Sequence, residues 1–391
     1  MRILIASDTY YPHVNGASYF TQRLAYYLNA RGHAVAVIAP SVSFQNTRDD
    51  AEGISVYGIW SLPVLFYSGF RFSPPPILIR RRVQKVIEEF KPEIVHPQSH
   101  FFLSRTALQV ARRKNIPVAA TNHFMPENLV HYLHLPGVIT DFIKHQAWRD
   151  FSKIFNSAHY VTTPTRTAAL LLPSHLAAPV RVISNGIDLK RFNPYNKGSY
   201  LRQRYKLPEK PVLLYVGRLD REKNLDVVFR AVAKAVRQVN FHLVIAGQGR
   251  ERKKLESLAK RLSIQSDVTI TGFVPDEDLP NLYTLADCFI IAGIAELQSI
   301  ATMEAMASGL PVIAVNAVAL PELVHDGENG FLFEHQDERT LVDRMVNMFR
   351  DGALRARMGE KSLELIAEHD IDKVISSFEN LYLRATLGQS A

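Results

Sequence analysis

Two carboxylates, Glu296 and Glu304, stand eight positions apart in the stretch "GIAELQSIATMEAMASGLP", residues 293–311. Ser299 suits an N-cap, Ile300, Met303, Ala307 and Leu310 recur at helical spacing, and Gly309 with Pro311 ends the run. The spacing predicts a helix from about residue 300, with Glu304 in its second turn and Glu296 in the loop ahead. An acid near a helix start is favoured by the macrodipole alone, by a few tenths to about 1 kcal/mol. Two carboxylates on one approach to a ligand would also accept hydrogen bonds from its hydroxyls. Both readings are open at this point.

Cations of the right kind lie elsewhere. After the apolar run "VLLYV" comes "GRLDREKN", with Gly217, Arg218 and Lys223. A guanidinium at the end of a strand and an ammonium five residues on would clamp a diphosphate, one by bidentate contact and one as a point charge. An ordinary solvated loop would look similar. After "LVIAG" comes "GQGRERKKLE", where Gly247 and Gly249 allow close backbone approach before a helix. The third glycine of the dinucleotide fingerprint is missing, which disfavours NAD but leaves phosphate approach to the helix N-terminus open.

In the first half, "YYPHVNGASYF" sets Asn15 and Gly16 in the loop after the first strand, and "VAATNHFMPENL" ends a strand with His123. His96 and His100 in "VHPQSH" follow another strand end. A histidine in such a place is either a hydrogen-bonded structural residue or a catalytic or substrate contact. The sequence holds no HExxH, no EF-hand loop, no GxSxG elbow and no GxxxxGK[ST] loop. The chemistry expected is therefore one that needs charge stabilisation more than a protein nucleophile, and neither a metal nor a cofactor is expected.

The elements that must position these residues alternate along the chain. "RILIAS", "AVAVIAP", "EIVHP", "PVAATNH" and "AHYVTTP" are short apolar runs separated by amphipathic stretches such as "SYFTQRLAYYLNARG" and "TALQVARRKN". The second half repeats the theme with "PVLLYVGR", "FHLVIAGQG", "VTITGFV", "CFIIAG", "PVIAV" and "GFLF". Continuous β-branched runs joined through helices mark parallel sheets covered on both faces. The fold class is α/β, two doubly wound Rossmann-like domains in series, expected to face each other across a cleft. The expected boundaries are residues 1–182, a linker at 183–208 rich in Asn, Gly, Pro and charge, and 209–370. The C-terminal helix, 371–391, is free to pack back on the first domain.

The chain has 391 residues and is 47% hydrophobic, enough for two ordinary cores. Its N-terminus passes straight from a strand-like run into polar residues, and no apolar stretch approaches the roughly 20 residues that span a bilayer. A cytoplasmic protein is expected. Cys288 is the only cysteine, which excludes an intramolecular disulfide and a thiolate cluster. The net charge of +8 is uneven: residues 1–180 hold 18 Lys and Arg against 10 Asp and Glu, while residues 181–391 hold 28 of each. A basic half attracts a polyanion, an acidic lipid surface or a nucleic acid. A nucleic acid would leave the paired Glu and the Arg and Lys of the neutral half without a job, so no nucleic-acid partner is expected.

Together these motifs resemble the retaining glycosyltransferases of the GT-B fold, family 4 in particular. The likeness runs nearly end to end: a glycine loop after the first strand, a strand-end histidine, "SNGID" at the domain junction, "GRLDREKN", "GQGRERKKLE", and Glu296 and Glu304 ahead of and within "EAMASGLPVIA". The resemblance implies that Arg218 and Lys223 hold the diphosphate of a nucleotide sugar, Glu304 the ribose hydroxyls and Glu296 the transferred sugar. It implies that Leu297, Gln298 and Ser299 line sugar and phosphate, that Val274 in "TGFVPDE" lies near the base, and that His123, with Gly16 and Asn15 on the acceptor side, faces the reaction centre. The nucleotide sugar is then a substrate, and no further cofactor is implied.

Many members carry a glycine-rich stretch after the first Glu, where this chain has "ELQSIATMEAMASG". That variant, with "NHFMPENL", is closer to the diacylglycerol glucosyltransferases and related glycolipid synthases, so a lipid acceptor and UDP-glucose are implied. A soluble or polysaccharide acceptor, or GDP-mannose as donor, is the alternative. "RRRVQK" (Arg80, Arg81, Arg82, Lys85), "ARRK" (Arg112, Arg113, Lys114) and the aromatic "LPVLFYSGFRF" would lay the first domain on an anionic membrane surface.

Overall fold

Most apolar runs of the sequence are strands buried on both faces, because helices cover each side of a parallel sheet. The computed structural model describes residues 1–11, 15–63, 71–125 and 137–388, and the chain divides into two units, Met1–Asn185 with Lys373–Ala391 and Gly186–Asp372.

The strands of the first unit are β1 (Arg2–Ala6), β2 (Ala34–Pro40), β3 (Thr47–Ala51), β4 (Ile54–Ile59), β5 (Leu62–Pro63), β6 (Arg71–Phe72), β7 (Ile94–Pro97), β8 (Ala119–Thr121), β9 (Tyr160–Thr163) and β10 (Val180–Val182). One sheet runs β3-β4-β2-β1-β7 and another β10-β9-β8, with a parallel bridge between Val95 and Val118 connecting β7 to the start of β8. Among the described residues only β3 runs antiparallel in the larger sheet, and its residues are mostly exposed, as an edge hairpin allows. Ile3, Leu4, Ile5 and Ala6 are fully buried in β1, and the order of the strands reverses between β1 and β7.

The second unit holds one parallel sheet of six strands: β11 (Val212–Val216), β12 (His242–Ala246), β13 (Val268–Gly272), β14 (Cys288–Ile291), β15 (Val312–Val315) and β16 (Gly330–Phe333). Their order is β13-β12-β11-β14-β15-β16, so the chain winds outward from β11 in one direction, then returns to lay β14 on its other side. This is the doubly wound dinucleotide-type order, whose binding crevice lies at the reversal.

Residues 186–208, most of the segment 183–208 expected as a linker, are packed into the second unit. Phe192, Leu201 and Leu207 are buried in its core, and Ile187 both donates to the His369 carbonyl and accepts from the Ile371 amide. Polar residues that suggested a linker instead hold turns: Asp188 Oδ1 accepts from the amides of Lys190 and Arg191, and Asn193 Oδ1 from that of Tyr195. The C-terminal helix, Ile371–Thr386, belongs to the first unit from Lys373 onward. Its Val374, Ile375, Phe378, Leu381 and Tyr382 are buried, and Glu379 joins it to Arg31 and His33, each at 2.8 Å.

Candidate active site

At the reversal in the second sheet, the loops after β11 and β14 hold the predicted charges. Arg218 follows β11 after Gly217, its carbonyl accepting from the Tyr215 hydroxyl at 2.9 Å, and Lys223 closes the 3-10 turn Arg221–Lys223. Glu296 lies in the loop after β14, and its Oε1 stands 2.5 Å from Lys223 Nζ. Gly293 makes room for this pair: a Cβ there would meet Glu296 Oε1 at 3.0 Å and Lys223 Cδ at 3.3 Å. Arg218 pairs with Asp220 and, at 2.9 Å, with Glu222, whose carboxylate is buried. Both cations are therefore held in place by carboxylates before any anion arrives.

The second glutamate lies in the second turn of the helix, as expected, with a hydroxyl partner inside the protein. The helix Ile300–Ala307 is capped by Ser299, whose Oγ accepts from the Thr302 amide at 3.2 Å. Glu304 is its fifth residue and is buried, and its Oε2 accepts from the Tyr283 hydroxyl at 2.8 Å. The first turn holds no acid, so the macrodipole account does not explain Glu304. Gln298, Ser299 and Val274 are buried and Leu297 is half-buried, on the loops beside it.

Gly247 and Gly249 have a local explanation. A Cβ on Gly247 would sit 1.8 Å from the Gly217 carbonyl oxygen, and one on Gly249 2.3 Å from that of Leu219. These glycines let the loops after β11 and β12 run side by side, tied by the Leu219 amide to the Gln248 carbonyl at 2.9 Å. The close approach read from the sequence is to a neighbouring backbone.

The first unit gathers its predicted residues at the equivalent edge. Asn15 caps the helix Gly16–Ala30: its Oδ1 accepts from the Ser18 amide at 2.9 Å, and Ser18 Oγ accepts from the Asn15 amide at 3.1 Å. Its type is thus accounted for by a capping box. His123, after β8, is half-buried with Nε2 3.0 Å from Oε1 of Gln98, which follows β7. The Phe20 ring packs against it, centroids 4.9 Å apart. Burial lowers the His123 pKa to about 4, which keeps the ring neutral at pH 7.

His96 and His100 are fully buried and structural. His96 bonds the Tyr382 hydroxyl at 2.7 Å and Thr121 Oγ1 at 2.6 Å, while His100 is ringed by Phe101, Phe124, Phe151 and Phe155. Among the described residues no group of three or more His, Cys, Asp or Glu is placed to hold a metal ion.

Comparison with known proteins matches both units. Residues 14–191 match the family described as Glycosyltransferase Family 4, and residues 199–364 that described as Glycosyl transferases group 1. The chain is a family 4 glycosyltransferase. It is 28% identical over 96% of its length to an alpha-monoglucosyldiacylglycerol synthase of Streptococcus pneumoniae, covering 87% of that protein. A GDP-mannose-dependent alpha-mannosyltransferase of Mycobacterium tuberculosis is 28% identical over 86% of each chain. Among solved structures, sucrose-phosphate synthase from Thermosynechococcus elongatus superposes with a TM-score of 0.81 at 21% identity, covering 99% of this chain and 100% of that one. The fold is that of the GT-B glycosyltransferases.

The basic residues of this glycosyltransferase lie on two packed helices of the first unit. On Pro76–Phe90, Arg81 and Lys85 are exposed and Arg80 and Arg82 half-buried; at the end of Phe102–Arg113, Arg112, Arg113 and Lys114 are exposed, Lys114 holding Glu88 at 2.8 Å. Ile77 and Leu78, one turn before Arg81 and Arg82, are 81% and 61% exposed. Residues 64–70 of the aromatic stretch lie outside the described residues, as do residues 126–129 of "NHFMPENL". Among the described residues no helix is long and apolar enough to cross a membrane.

Sequence reasoning missed the partners. Tyr283, Asp220, Glu222 and Gln98 each touch a predicted residue, yet none stands in a motif of its own. Asp220 and Glu222 were visible within "GRLDREKN" as acids among cations; Tyr283 and Gln98 carried no signal that spacing could separate from core.

Proposed function

We propose that this glycosyltransferase moves glucose from UDP-glucose to the hydroxyl of a lipid acceptor, such as diacylglycerol or a glycosyl-diacylglycerol, at the cytoplasmic membrane surface and with retention of configuration. The observation that carries the donor half is the Lys223–Glu296 pair beside Arg218, set where the second sheet reverses. Breaking the bond between the anomeric carbon and the diphosphate oxygen leaves positive charge on the sugar and negative charge on the phosphate. Arg218, Lys223 and the amides opening the helix at Ile300 are suited to receive the latter, and Glu296 the sugar hydroxyls.

Glu304 is suited to the ribose diol, since a carboxylate accepts two hydroxyl hydrogen bonds where it would repel a phosphate. The leaving phosphate oxygen takes the acceptor's proton as the acceptor oxygen bonds the anomeric carbon on the same face. Retention then needs no protein nucleophile. His123 and Gly16 face the acceptor in this reading, and Val274, Leu297, Gln298 and Ser299 line the donor.

The lipid acceptor is supported by the likeness to the Streptococcus protein over 96% of this chain. It is supported also by Ile77 and Leu78 exposed beside Arg81 and Lys85. A mannosyl donor is the second reading, favoured by the Mycobacterium relative. The test offers purified protein dioleoylglycerol in phosphatidylglycerol vesicles with UDP-glucose, UDP-galactose or GDP-mannose in turn, followed by mass spectrometry and NMR of the lipid. Glucosyl-diacylglycerol with an α linkage is expected from UDP-glucose. No glycolipid from any donor would overturn the proposal, and product from GDP-mannose alone would select the second reading.

A further inference from the structure

Gln98 follows β7 immediately, its amide donating to the Ala6 carbonyl at 2.8 Å, so the end of β1 fixes its backbone. The residue is only 1% exposed. One pole of its side chain, Oε1, meets His123 Nε2 at 3.0 Å; the other, Nε2, is buried without a hydrogen-bond partner. A buried amide donor left unpaired costs about 1 to 3 kcal/mol, and native structures tolerate few such groups unless a ligand or water completes them. An amide oxygen can only accept, so this contact requires the proton of neutral His123 to sit on Nε2, leaving the lone pair on Nδ1. Phe20, packed 4.9 Å from the His123 ring and 5.9 Å from Phe378 of the C-terminal helix, restrains the ring.

We propose that Gln98 and His123 form a two-point receiver for the acceptor: His123 Nδ1 accepts the hydrogen bond of the hydroxyl to be glycosylated, and Gln98 Nε2 donates to a second oxygen of the same molecule. Gln98 acts on that hydroxyl through His123, as a positioning residue, and on the second oxygen directly. The acceptor class follows: an alcohol with another oxygen, ester or hydroxyl, close by, as in a glycerol lipid. A long-chain alcohol with a single oxygen lacks it. The proposal rests on the reading that His123 faces the acceptor.

Two measurements test it. In full-length protein labelled with 15N-histidine, long-range NMR correlations report the tautomer of His123, its signal assigned by loss in His123→Gln. Nε2–H is expected in the wild type, with that preference lost in Gln98→Met, which keeps the side-chain volume. Nδ1–H in the wild type would overturn the couple, whether or not glycolipid is made.

The second measurement is steady-state transfer from UDP-glucose to dioleoylglycerol or to 1-octadecanol in the same vesicles. Gln98→Met is expected to raise the KM for dioleoylglycerol about tenfold, the loss expected for one buried hydrogen bond. It is expected to leave UDP affinity unchanged and to erase the preference for dioleoylglycerol over octadecanol. An unchanged KM, or an equal loss of UDP affinity, would show Gln98 to be a packing residue only. If the wild type transfers nothing to either lipid, the functional reading falls, while the tautomer still decides the Gln98–His123 contact.

Discussion

Lys223 Nζ and Glu296 Oε1 meet at 2.5 Å across the point where the second sheet reverses, joining the loop after β11 to the loop after β14. In the proposed function each then has two tasks, restraining the other and receiving a different part of the donor. Lys223→Ala removes a charge-assisted contact to phosphate of about 1.5 to 3 kcal/mol, so UDP should bind about 10- to 100-fold more weakly by calorimetry. Glu296→Gln should behave in the opposite way toward UDP, which has no sugar. Neutralising the carboxylate releases Lys223, so UDP affinity holds or rises while kcat with UDP-glucose falls at least about tenfold. Equal losses of UDP affinity in both variants would mean the pair only supports the loop.

Tyr283 explains how a carboxylate can be buried in the helix Ile300–Ala307. Its hydroxyl donates to Glu304 Oε2 at 2.8 Å and so fixes the orientation of the carboxylate. Tyr283→Phe should weaken UDP binding about three- to tenfold, because the carboxylate loses its orientation, and should lower stability by about 1 kcal/mol. Glu304→Gln should weaken UDP binding by about tenfold or more with the urea midpoint little changed. A Tyr283→Phe variant that loses stability but keeps full UDP affinity would detach this hydrogen bond from donor binding.

What the sequence revealed depended on whether a residue's type reflected its local element or a distant partner. The six apolar runs of the second half are the six strands of one sheet; burial on both faces demands uninterrupted apolar residues in five of them, while "VTITG" is a half-buried edge strand. Ser299 and the helix after it were equally legible. The sequence did not show that Tyr283, twenty-one positions earlier, bonds Glu304, or that Tyr382 of the C-terminal helix bonds His96. Such contacts are made by topology and leave no periodicity. Residues 186–208 misled for a related reason: Asn and Asp hold turns in packed segments as they do in linkers.

Acid should destabilise the first unit earlier than carboxylate titration would. Burial takes His96 from its ordinary 6.5 to about 3, and His100 and His123 to about 4. As pH falls below 6.5 the unfolded chain takes up protons that these folded rings refuse. Stability is therefore full above about pH 7 and is lost down to about pH 4, each ring contributing up to about 1.4 kcal/mol per pH unit. His100, ringed by phenylalanines with Nδ1 unpartnered, offers the cleanest check. His100→Leu should flatten the dependence of unfolding free energy on pH between 6 and 4.5 by about that amount, measured by urea denaturation; an unaltered slope would contradict the assignment.

The C-terminal helix returns to the first unit through Tyr382, whose hydroxyl meets His96 Nδ1 at 2.7 Å, and His96 passes the chain on to Thr121 and Thr162 at 2.6 Å each. All four residues are buried. Tyr382→Phe leaves one ring nitrogen without its partner and should cost about 1 to 3 kcal/mol in urea unfolding of the first unit. UDP affinity, which belongs to the second unit in the proposed function, should not change; a parallel fall in both would argue against that division of labour.

Ile77 and Leu78 open the helix Pro76–Phe90 with exposed side chains, and Arg81 and Lys85 follow on the same face. Apolar side chains ahead of cations suit an anionic bilayer, where the cations meet headgroups and the apolar turn enters the interface. Each cation near such a surface contributes about 1 kcal/mol, so Arg81→Glu with Lys85→Glu should reduce binding to phosphatidylglycerol vesicles about 30-fold or more at physiological salt. That loss should shrink as salt rises, because the Debye length falls from about 8 Å to about 3 Å between 0.15 and 1 M. Ile77→Ser with Leu78→Ser should weaken binding at every salt concentration, since burial of apolar surface is not screened. UDP affinity should be untouched by either pair. Co-sedimentation that ignores all four substitutions would move membrane contact away from this helix, and wild-type protein left in the supernatant at low salt would remove the membrane from the mechanism.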